Sequence, residues 1–206
     1  GVFCSNDFIS EGQIMEQYHS SKSTTREALI DLCRDNILES LPRMGYRIMP
    51  LSVKEIIQII DLRVSLELLA MRKAHPKMTP EFLQSILRHE ERYAEEIREC
   101  GKSYKYSQYW RNNMKFHLMI CEKCENVYIL RILEELICHC SRYVPQYYCS
   151  SWRHQREGTS GEYHRLLVEA LMEYDLEKAM KLLERDIYHF KEELIADIIN
   201  GENTTI

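Results

Sequence analysis

The pattern of hydrophobic and polar positions changes at Pro50. Before this residue, two short stretches with helical spacing precede an alternation of apolar and polar residues over 36–41, which is typical of a half-buried strand. Residues 42–45 contain Pro and Gly and predict a turn, after which residues 46–48 return as a second strand. The order predicted for residues 1–50 is therefore helix, tight turn, helix and β-hairpin.

Capping signals support both short helices. Ser10 is followed three residues later by Gln13, which is the form of a capping box at the start of the first helix. The second helix is expected to begin after a cap at Ser23 or Thr24.

After Pro50 the hydrophobic spacing is helical throughout. A cap at Ser52 opens a long helix that Pro76 ends, and Gly101 ends the next one. The predicted helices begin near Ser52, Thr79, Ser103, Asn126, Thr159 and Asp175.

These patterns predict a mainly α protein with two domains. Residues 1–50 form the first domain, residues 51–200 form an antiparallel bundle of about six helices, and residues 201–206 form a tail. A loop is expected over residues 145–160. The low Gly and Pro content, 7 and 5 residues, argues against an all-β protein built from many turns.

Composition excludes further classes. Among 206 residues, 45% are hydrophobic and the charges are interspersed, which argues against global disorder. No apolar run approaches the ~18 residues of a membrane span, so no membrane partner is expected. Residues 1–10 lack the pattern of a secretory signal, which predicts a cytoplasmic protein with eight reduced cysteines. The net charge of −5 excludes a strongly basic surface but permits a local basic patch.

Four of the cysteines offer a zinc alternative. Cys121 and Cys124 are spaced as a zinc knuckle, and Cys138 and Cys140 flank a histidine. Structural zinc sites place such pairs on turns, whereas these residues fall on predicted helices. Ordinary buried or surface thiols are therefore the favoured interpretation.

Residues 21–29 carry a motif for DNA recognition. They read Ser-Lys-Ser-Thr-Thr-Arg-Glu-Ala-Leu, which resembles the S-R-T-P-x-R-E-A-L of GntR-type bacterial regulators. Residues 9–15 and 36–46 look like the flanking helix and wing of the same family. The resemblance implies a winged helix-turn-helix whose first helix is missing from this chain. It also implies contacts with double-stranded operator DNA by Ser21, Lys22, Ser23, Thr24, Arg26, Arg43, Gly45 and Arg47.

The chemistry of these residues agrees with that role. Hydroxyls and cations cluster at a predicted helix N-terminus, whose free N–H groups attract phosphate. Arg43 and Arg47 flank the glycine of a hairpin tip, which suits a backbone or groove contact. Two residues depart from the family pattern, since Thr24 replaces its Pro and Lys22 replaces an Arg that can grip guanine with two hydrogen bonds. The alternative is a small helical subdomain with ordinary surface charges.

Residues after Pro50 resemble the FCD ligand-binding domain of the FadR branch of that family. The similarity rests on Asp61-Leu62-Arg63 with Leu66-Glu67, on Phe116-His117 with Asn126, and on residues 162–171 with Asp175. It implies an all-helical domain that forms a homodimer and senses a small metabolite, expected to be an organic acid.

Many FCD domains hold a divalent metal through one Asp and three His residues. Carried over by position, His117 and His164 are intact, Asn113 occupies the Asp position, and Asp186 occupies that of the last His. The resemblance thus implies an altered site for a zinc-like or nickel-like ion, to which His189 could contribute from the next turn. The alternative is a polar core cluster without a metal.

Arg63 lies in an apolar helix and is a candidate partner for an effector carboxylate. The alternative is an internal salt bridge with Glu67. The chain is therefore interpreted as a transcriptional regulator and not an enzyme. A metal-free regulator and a metal-dependent helical-bundle enzyme remain the other possibilities, although no nucleophile–base pair supports catalysis.

Overall fold

The computed structural model describes residues 7–35, 37–50, 52–100, 106–141, 143 and 159–202. The chain divides into two compact units, residues 1–52 and residues 53–206. This division falls close to the change of hydrophobic pattern at Pro50.

The first unit contains two short helices and a small sheet. The elements in chain order are β1 (Phe8–Ile9), α1 (Glu11–Tyr18), α2 (Lys22–Arg34), β2 (Leu38–Leu41) and β3 (Gly45–Ile48). The predicted order of helix, turn, helix and hairpin is present. Strand β2 begins at Leu38, and Asn36, where the prediction placed its start, lies outside the described residues.

The two helices are set by their caps. The hydroxyl of Ser10 accepts the N–H of Gln13, whose side chain accepts the N–H of Ser10, so the predicted capping box is present. His19 then ends α1 in the left-handed conformation. The cap predicted at Ser23 or Thr24 was wrong, because the Ser21 hydroxyl accepts the N–H of Thr24 at 3.3 Å and α2 begins at Lys22.

The sheet has three antiparallel strands in the order β1-β3-β2. Strand β1 was not predicted, because two residues are too few to show an alternating pattern. It pairs Ile9 with Tyr46. These two side chains join Leu29 of α2 and Leu38 of β2 in the buried core that holds the helices against the sheet.

Gly45 is required where the hairpin passes β1. Its φ is +98°, and an added Cβ would lie 2.6 Å from the carbonyl oxygen of Ile9. We therefore expect Gly45→Ala to destabilise this unit by about 1–3 kcal/mol. Hydrogen exchange of the hairpin amides would measure the loss. Gly12→Ala in α1 is the control, since its nearest neighbour is 4.0 Å away and alanine favours a helix. Equal protection in both variants would contradict the prediction.

The second unit is a bundle of helices. The structure describes α3 (Val53–Ala74), a 3-10 turn (His75–Lys77), α4 (Pro80–Cys100), α5 (Tyr106–Glu122), α6 (Val127–Ser141), α7 (Thr159–Met172) and α8 (Leu176–Glu202). The predicted all-helical fold of this part of the chain is confirmed. Helix α8 continues through Glu202, into the tail predicted from residue 201. The loop predicted over 145–160 lies outside the described residues except for Thr159 and Ser160, which begin α7.

Helix α3 packs on α5, α6 and α8, while α4 packs on α5 and α7 and α7 packs on α8. The buried side of α3 includes Ile56, Ile60 and Met71, none of which is exposed. The same side also carries Arg63 and Glu67, each about 1% exposed. Charged groups in such a core need partners, and these partners define the candidate site. No helix within the described part of the chain is long and apolar enough to cross a membrane.

Candidate metal centre

Three metal-ligating side chains converge inside the bundle. They are His117 of α5, His164 of α7 and Asp186 of α8, all buried. One ligand atom from each lies within 4.8 Å of the others. The Oδ2 atom of Asp186 is 3.1 Å from Nε2 of His117 and 3.5 Å from Nε2 of His164. This is the one such cluster among the described residues.

A carboxylate holds the opposite nitrogen of each histidine. The Nδ1–H of His117 donates to Oε2 of Glu67 at 2.7 Å, and the Nδ1–H of His164 donates to Oε2 of Glu90 at 2.8 Å. Because a carboxylate only accepts, these contacts fix the proton on Nδ1 and leave Nε2 for a metal. Histidine ligands in proteins are commonly oriented in this way.

The aromatic ring of Phe116 fixes the plane of His164. The two rings stack with centroids 3.6 Å apart and planes 7° from parallel. His117 lies almost perpendicular to His164, at an interplanar angle of 85°. The two imidazoles therefore direct their Nε2 atoms at Asp186 from different sides.

The cluster is electrostatically coupled. Burial alone would raise the pKa of Glu67, but Arg63 and His117 hold it at about 2. Burial would also raise the pKa of Asp186, and the two histidines hold it well below its usual range instead. Burial would lower the pKa of His164, whereas Asp186 and Glu90 raise it to about 9. Without a metal, the carboxylates of the site therefore favour the protonated, positively charged form of His164.

Arg63 forms the predicted internal salt bridge. Its Nε–H donates to Oε1 of Glu67 at 2.5 Å, and Glu67 in turn holds His117. The Nη2 atom of Arg63 is buried and has no hydrogen-bond partner in the described part of the chain. The structure thus links Arg63 to the histidine cluster through Glu67 and leaves one guanidinium nitrogen available.

Arg63→Met should strongly destabilise the metal-free protein. The substitution leaves the Glu67 carboxylate buried without its cation, and breaking a buried pair in this way costs about 3–5 kcal/mol. Urea unfolding in the presence of a chelator would measure the change. Lys181→Met is the control, because Lys181 forms an exposed ion pair with Glu177 at the same spacing of four residues. Equal stability of Arg63→Met and the wild type would contradict the prediction.

Two further residues were predicted at this site, and the structure places one of them at the cluster and the other outside it. Asn113 is in the site, with its Nδ2 atom 3.4 Å from Nε2 of His164. His189 lies one turn beyond Asp186 on α8, is half-buried, and has its ring 6.2 Å from that of Tyr163. It is outside the group of converging ligands.

Sequence reasoning did not assign Glu67 or Glu90 to this site. Glu67 could have been found, because it is an acid on the apolar side of a long helix. Glu90 lies in a helix rich in charged residues, where nothing in the pattern distinguishes it.

The cysteines do not gather into a zinc site within the described residues. Cys121, Cys124 and Cys140 are buried and Cys138 is exposed, and no three of them converge. Burial raises the pKa of the Cys140 thiol to about 11 and that of Cys121 well above its usual value. These properties are those of thiols that pack in the core.

The residues predicted to bind DNA lie at two places in the first unit. Ser21, Lys22, Ser23, Thr24 and Arg26 are exposed at the start of α2, and Arg43 is exposed at the hairpin tip. Arg47 is half-buried and forms an ion pair with Glu39. Gly45 has a structural reason for its identity, as described above.

A winged helix-turn-helix unit followed by a helical unit with a buried ligand cluster defines a class of transcriptional regulator. Residues 58–189, more than half of the chain, match the family model of the FCD domain. The chain belongs to the GntR family of transcriptional regulators that carry an FCD domain. Members of this family are regulators, which removes the enzyme alternative.

Similar proteins agree with this assignment. The chain is 26% identical to the HTH-type transcriptional regulator YdhC of Bacillus subtilis (strain 168), over 66% of this chain and 59% of the relative. It is 24% identical to the HTH-type transcriptional repressor GlaR of Escherichia coli (strain K12), over 69% of this chain and 65% of that protein. The chain thus matches about three fifths of the length of these curated relatives.

The fold also matches a solved structure. E. coli McbR/YncC superposes with a TM-score of 0.75 and 20% identity, covering 96% of this chain and 91% of that one. At this identity the match supports the fold alone.

Proposed function

We propose that this protein is a metabolite-responsive transcription factor of the cytoplasm. Its helical domain binds a small carboxylate through a divalent metal, and its winged unit binds an operator as part of a homodimer. The observation that supports the metal most strongly is the pair of histidines. In each, a carboxylate accepts the Nδ1–H and Nε2 faces Asp186. Histidine ligands in protein metal sites are commonly oriented in this way.

Charge also favours a divalent cation. Among the described residues, Glu67, Glu90 and Asp186 surround the two histidines, and Arg63 is the cation in contact with the cluster. With neutral imidazoles this set carries two more negative than positive charges. Two imidazoles and a carboxylate suit zinc or nickel, since imidazole binds both ions well. When bound, such an ion supplies a Lewis-acid centre that attracts carboxylate oxygens.

The effector is proposed to be a small organic acid. Arg63 carries the unpartnered Nη2 atom beside the cluster, and a guanidinium nitrogen in this environment suits a carboxylate. His189, half-buried on the same helix as Asp186, is proposed to line the effector site. The altered ligand set also leaves coordination positions for an incoming anion.

The DNA contacts are proposed for the exposed start of α2 and the hairpin tip. Free N–H groups and hydroxyls at a helix N-terminus suit a phosphate, and Lys22 and Arg26 supply positive charge there. A homodimer would place two such units on two half-sites of an inverted repeat. Effector binding would shift the population towards one spacing of the two units.

A metal-free regulator is the second candidate. The same cluster can close without an ion, because a protonated His164 is held between Asp186 and Glu90. In that case the effector would bind directly to Arg63 and the histidines.

A DNA selection experiment tests the proposal. DNA from a random pool that binds the purified protein should contain an inverted repeat, and the affinity should change when acetate, glycolate or succinate is added. We expect this response to disappear in chelator and return with zinc. A response that persists in chelator supports the metal-free candidate, and failure to select any sequence would overturn the regulator proposal.

A further inference from the structure

We propose that two copies of this chain pair through the outer side of helices α3 and α6. This inference rests on the homodimer of the proposed function and adds the surface that forms it. The surface, called here the α3–α6 face, consists of Leu62, Leu66, Leu69, Tyr128 and Ile132. In a two-fold dimer each copy presents the same residues to the other.

Exposed apolar side chains are concentrated on these two helices. Among the described residues of the second unit, the large apolar side chains that are exposed are Leu62, Leu69, Val127, Tyr128, Ile132 and Tyr174. All except Tyr174 lie on α3 or α6, and the described parts of α4, α5, α7 and α8 carry none. Single exposed apolar residues are common on protein surfaces, whereas a cluster of them marks an interaction surface.

The two helices are neighbours that run in opposite directions. Helix α3 packs on α6. The hydroxyl of Tyr143, just after the end of α6, donates to Glu55 near the start of α3 at 2.9 Å. Lys77, just after the end of α3, pairs with Glu125, just before the start of α6. These two contacts fix the alignment of the helices along their length.

The apolar residues lie where α3 and α6 meet the surface. Leu62, Leu66 and Leu69 are separated by four and then three residues, a spacing that places side chains in one row for packing against another helix. Leu62 lies two turns after Glu55, which contacts the end of α6, so the row is on the α6 side of α3. Tyr128 and Ile132 are one turn apart on α6, and the two groups therefore form one continuous surface.

The α3–α6 face has the dimensions of a stable interface. The helices contain 22 and 15 residues, and two adjacent helices of this length present a projected area on the order of 500 Å². The accessible area of a ridged helical surface is larger than its projection. It therefore approaches the roughly 800 Å² that each partner contributes to a standard interface. Pairing with a second copy would create an arrangement of four helices.

The charges beside the face favour a second copy as the partner. The two end contacts place Leu69 level with Ile132 to within about one residue. Lys73 lies one turn after Leu69 and Glu135 lies about one turn after Ile132, and both are exposed. Because the helices run in opposite directions, this cation and this carboxylate lie on opposite sides of Leu69. A two-fold axis perpendicular to the helices at that level brings Lys73 of each copy towards Glu135 of the other.

Sedimentation of the full chain at several concentrations tests the surface. Leu69→Glu and Ile132→Glu each place a carboxylate from both copies in the centre of the interface, and we expect each to raise the dimer dissociation constant at least about a hundredfold. Tyr174→Asp is the control, because it adds an acid at an exposed apolar residue of the same unit outside the face. Its φ of +59° suits an aspartate, and its dissociation constant should stay within about threefold of the wild type.

The double variant Leu69→Ala/Ile132→Ala tests the same surface without a new charge. Alanine is the strongest helix former, so this variant serves if circular dichroism shows that a Glu variant does not fold, and we expect about tenfold weaker dimerisation. Folded variants that dimerise as tightly as the wild type would overturn the inference and leave the homodimer intact. A wild-type chain that stays monomeric at tens of micromolar would overturn the homodimer itself, so the two failures are distinct.

Discussion

His164→Ala and His117→Ala are each expected to lower the affinity for Zn²⁺ by more than a hundredfold. Loss of an orienting partner alone costs about 10–100-fold, and these variants remove an imidazole ligand itself. The remaining histidine and Asp186 would leave the ion with two protein ligands. Competition with a chromophoric chelator, together with metal analysis of the purified proteins, measures the affinity directly.

His189→Ala provides the matched control for this experiment. His189 lies on α8 with Asp186 but outside the converging ligands, so its removal should leave Zn²⁺ affinity unchanged. Equal losses in His189→Ala and His164→Ala would show that the ligand set is wrong. Zinc content that is negligible in the wild type would show that the cluster is a polar core without an ion.

Variants of Glu67 and Glu90, which accept the Nδ1–H groups of the two histidines, would distinguish a metal site from a polar core without an ion. Glu67→Gln keeps the size of the side chain but replaces a charged acceptor of the His117 Nδ1–H by a neutral one. The general consequence of weakening such a partner is a loss of about 10–100-fold in metal affinity. In a core that only satisfies hydrogen bonds, the same change would alter stability and leave no metal affinity to lose.

The sequence predicted the parts of this site that lie in local motifs. His117 follows Phe116 in a recognisable pair, and His164 lies in a helical motif, so both were placed by register. Asn113 and Asp186 were carried over from the family's ligand positions, four residues before His117 and eleven residues after Asp175. All four occupy positions on helices whose periodicity is strong, and a helical face carries a side chain to a predictable side of the bundle.

The remaining parts depend on contacts between distant elements. Glu90 meets His164 across 74 residues of chain, and Glu67 meets His117 across 50. Neither pairing has a local signature. The apolar side of α3 marks Glu67 as buried but does not identify its partner, and nothing in the pattern of α4 distinguishes Glu90. Strand β1 was missed for a similar reason, since its two residues are defined by pairing with β3 and not by their own pattern.

Helix α3 carries the ion pair that contacts the histidine cluster. It follows directly on the winged unit along the chain, and it carries both Arg63 and Glu67. A change in the charge of the histidine cluster acts on Glu67 first, because Glu67 contacts His117 and Arg63 at once. The proposed effector would therefore act on α3 through the Arg63–Glu67 ion pair, which is buried and little screened by salt.

The double variant Lys22→Ala/Arg26→Ala is expected to reduce operator affinity by about ten- to a hundredfold near physiological salt. Both cations are exposed at the start of α2, where free N–H groups already favour phosphate. Each lost phosphate contact should reduce the slope of log affinity against log salt by about 0.9. Fluorescence anisotropy with the selected inverted repeat, at several salt concentrations, measures both quantities.

Arg34→Ala separates a specific contact from a general loss of positive charge. Arg34 lies at the other end of α2, where it is paired with Asp31 at 2.9 Å. Its replacement removes one positive charge, as a single change at Lys22 or Arg26 does, but far from the helix N-terminus. We expect Arg34→Ala to retain the affinity and most of the salt slope of the wild type. If the double variant binds the operator with an unchanged affinity and slope, the start of α2 does not contact DNA. If Arg34→Ala weakens binding as much as a single change at Lys22 or Arg26, the effect is one of net charge and the assigned contact is wrong.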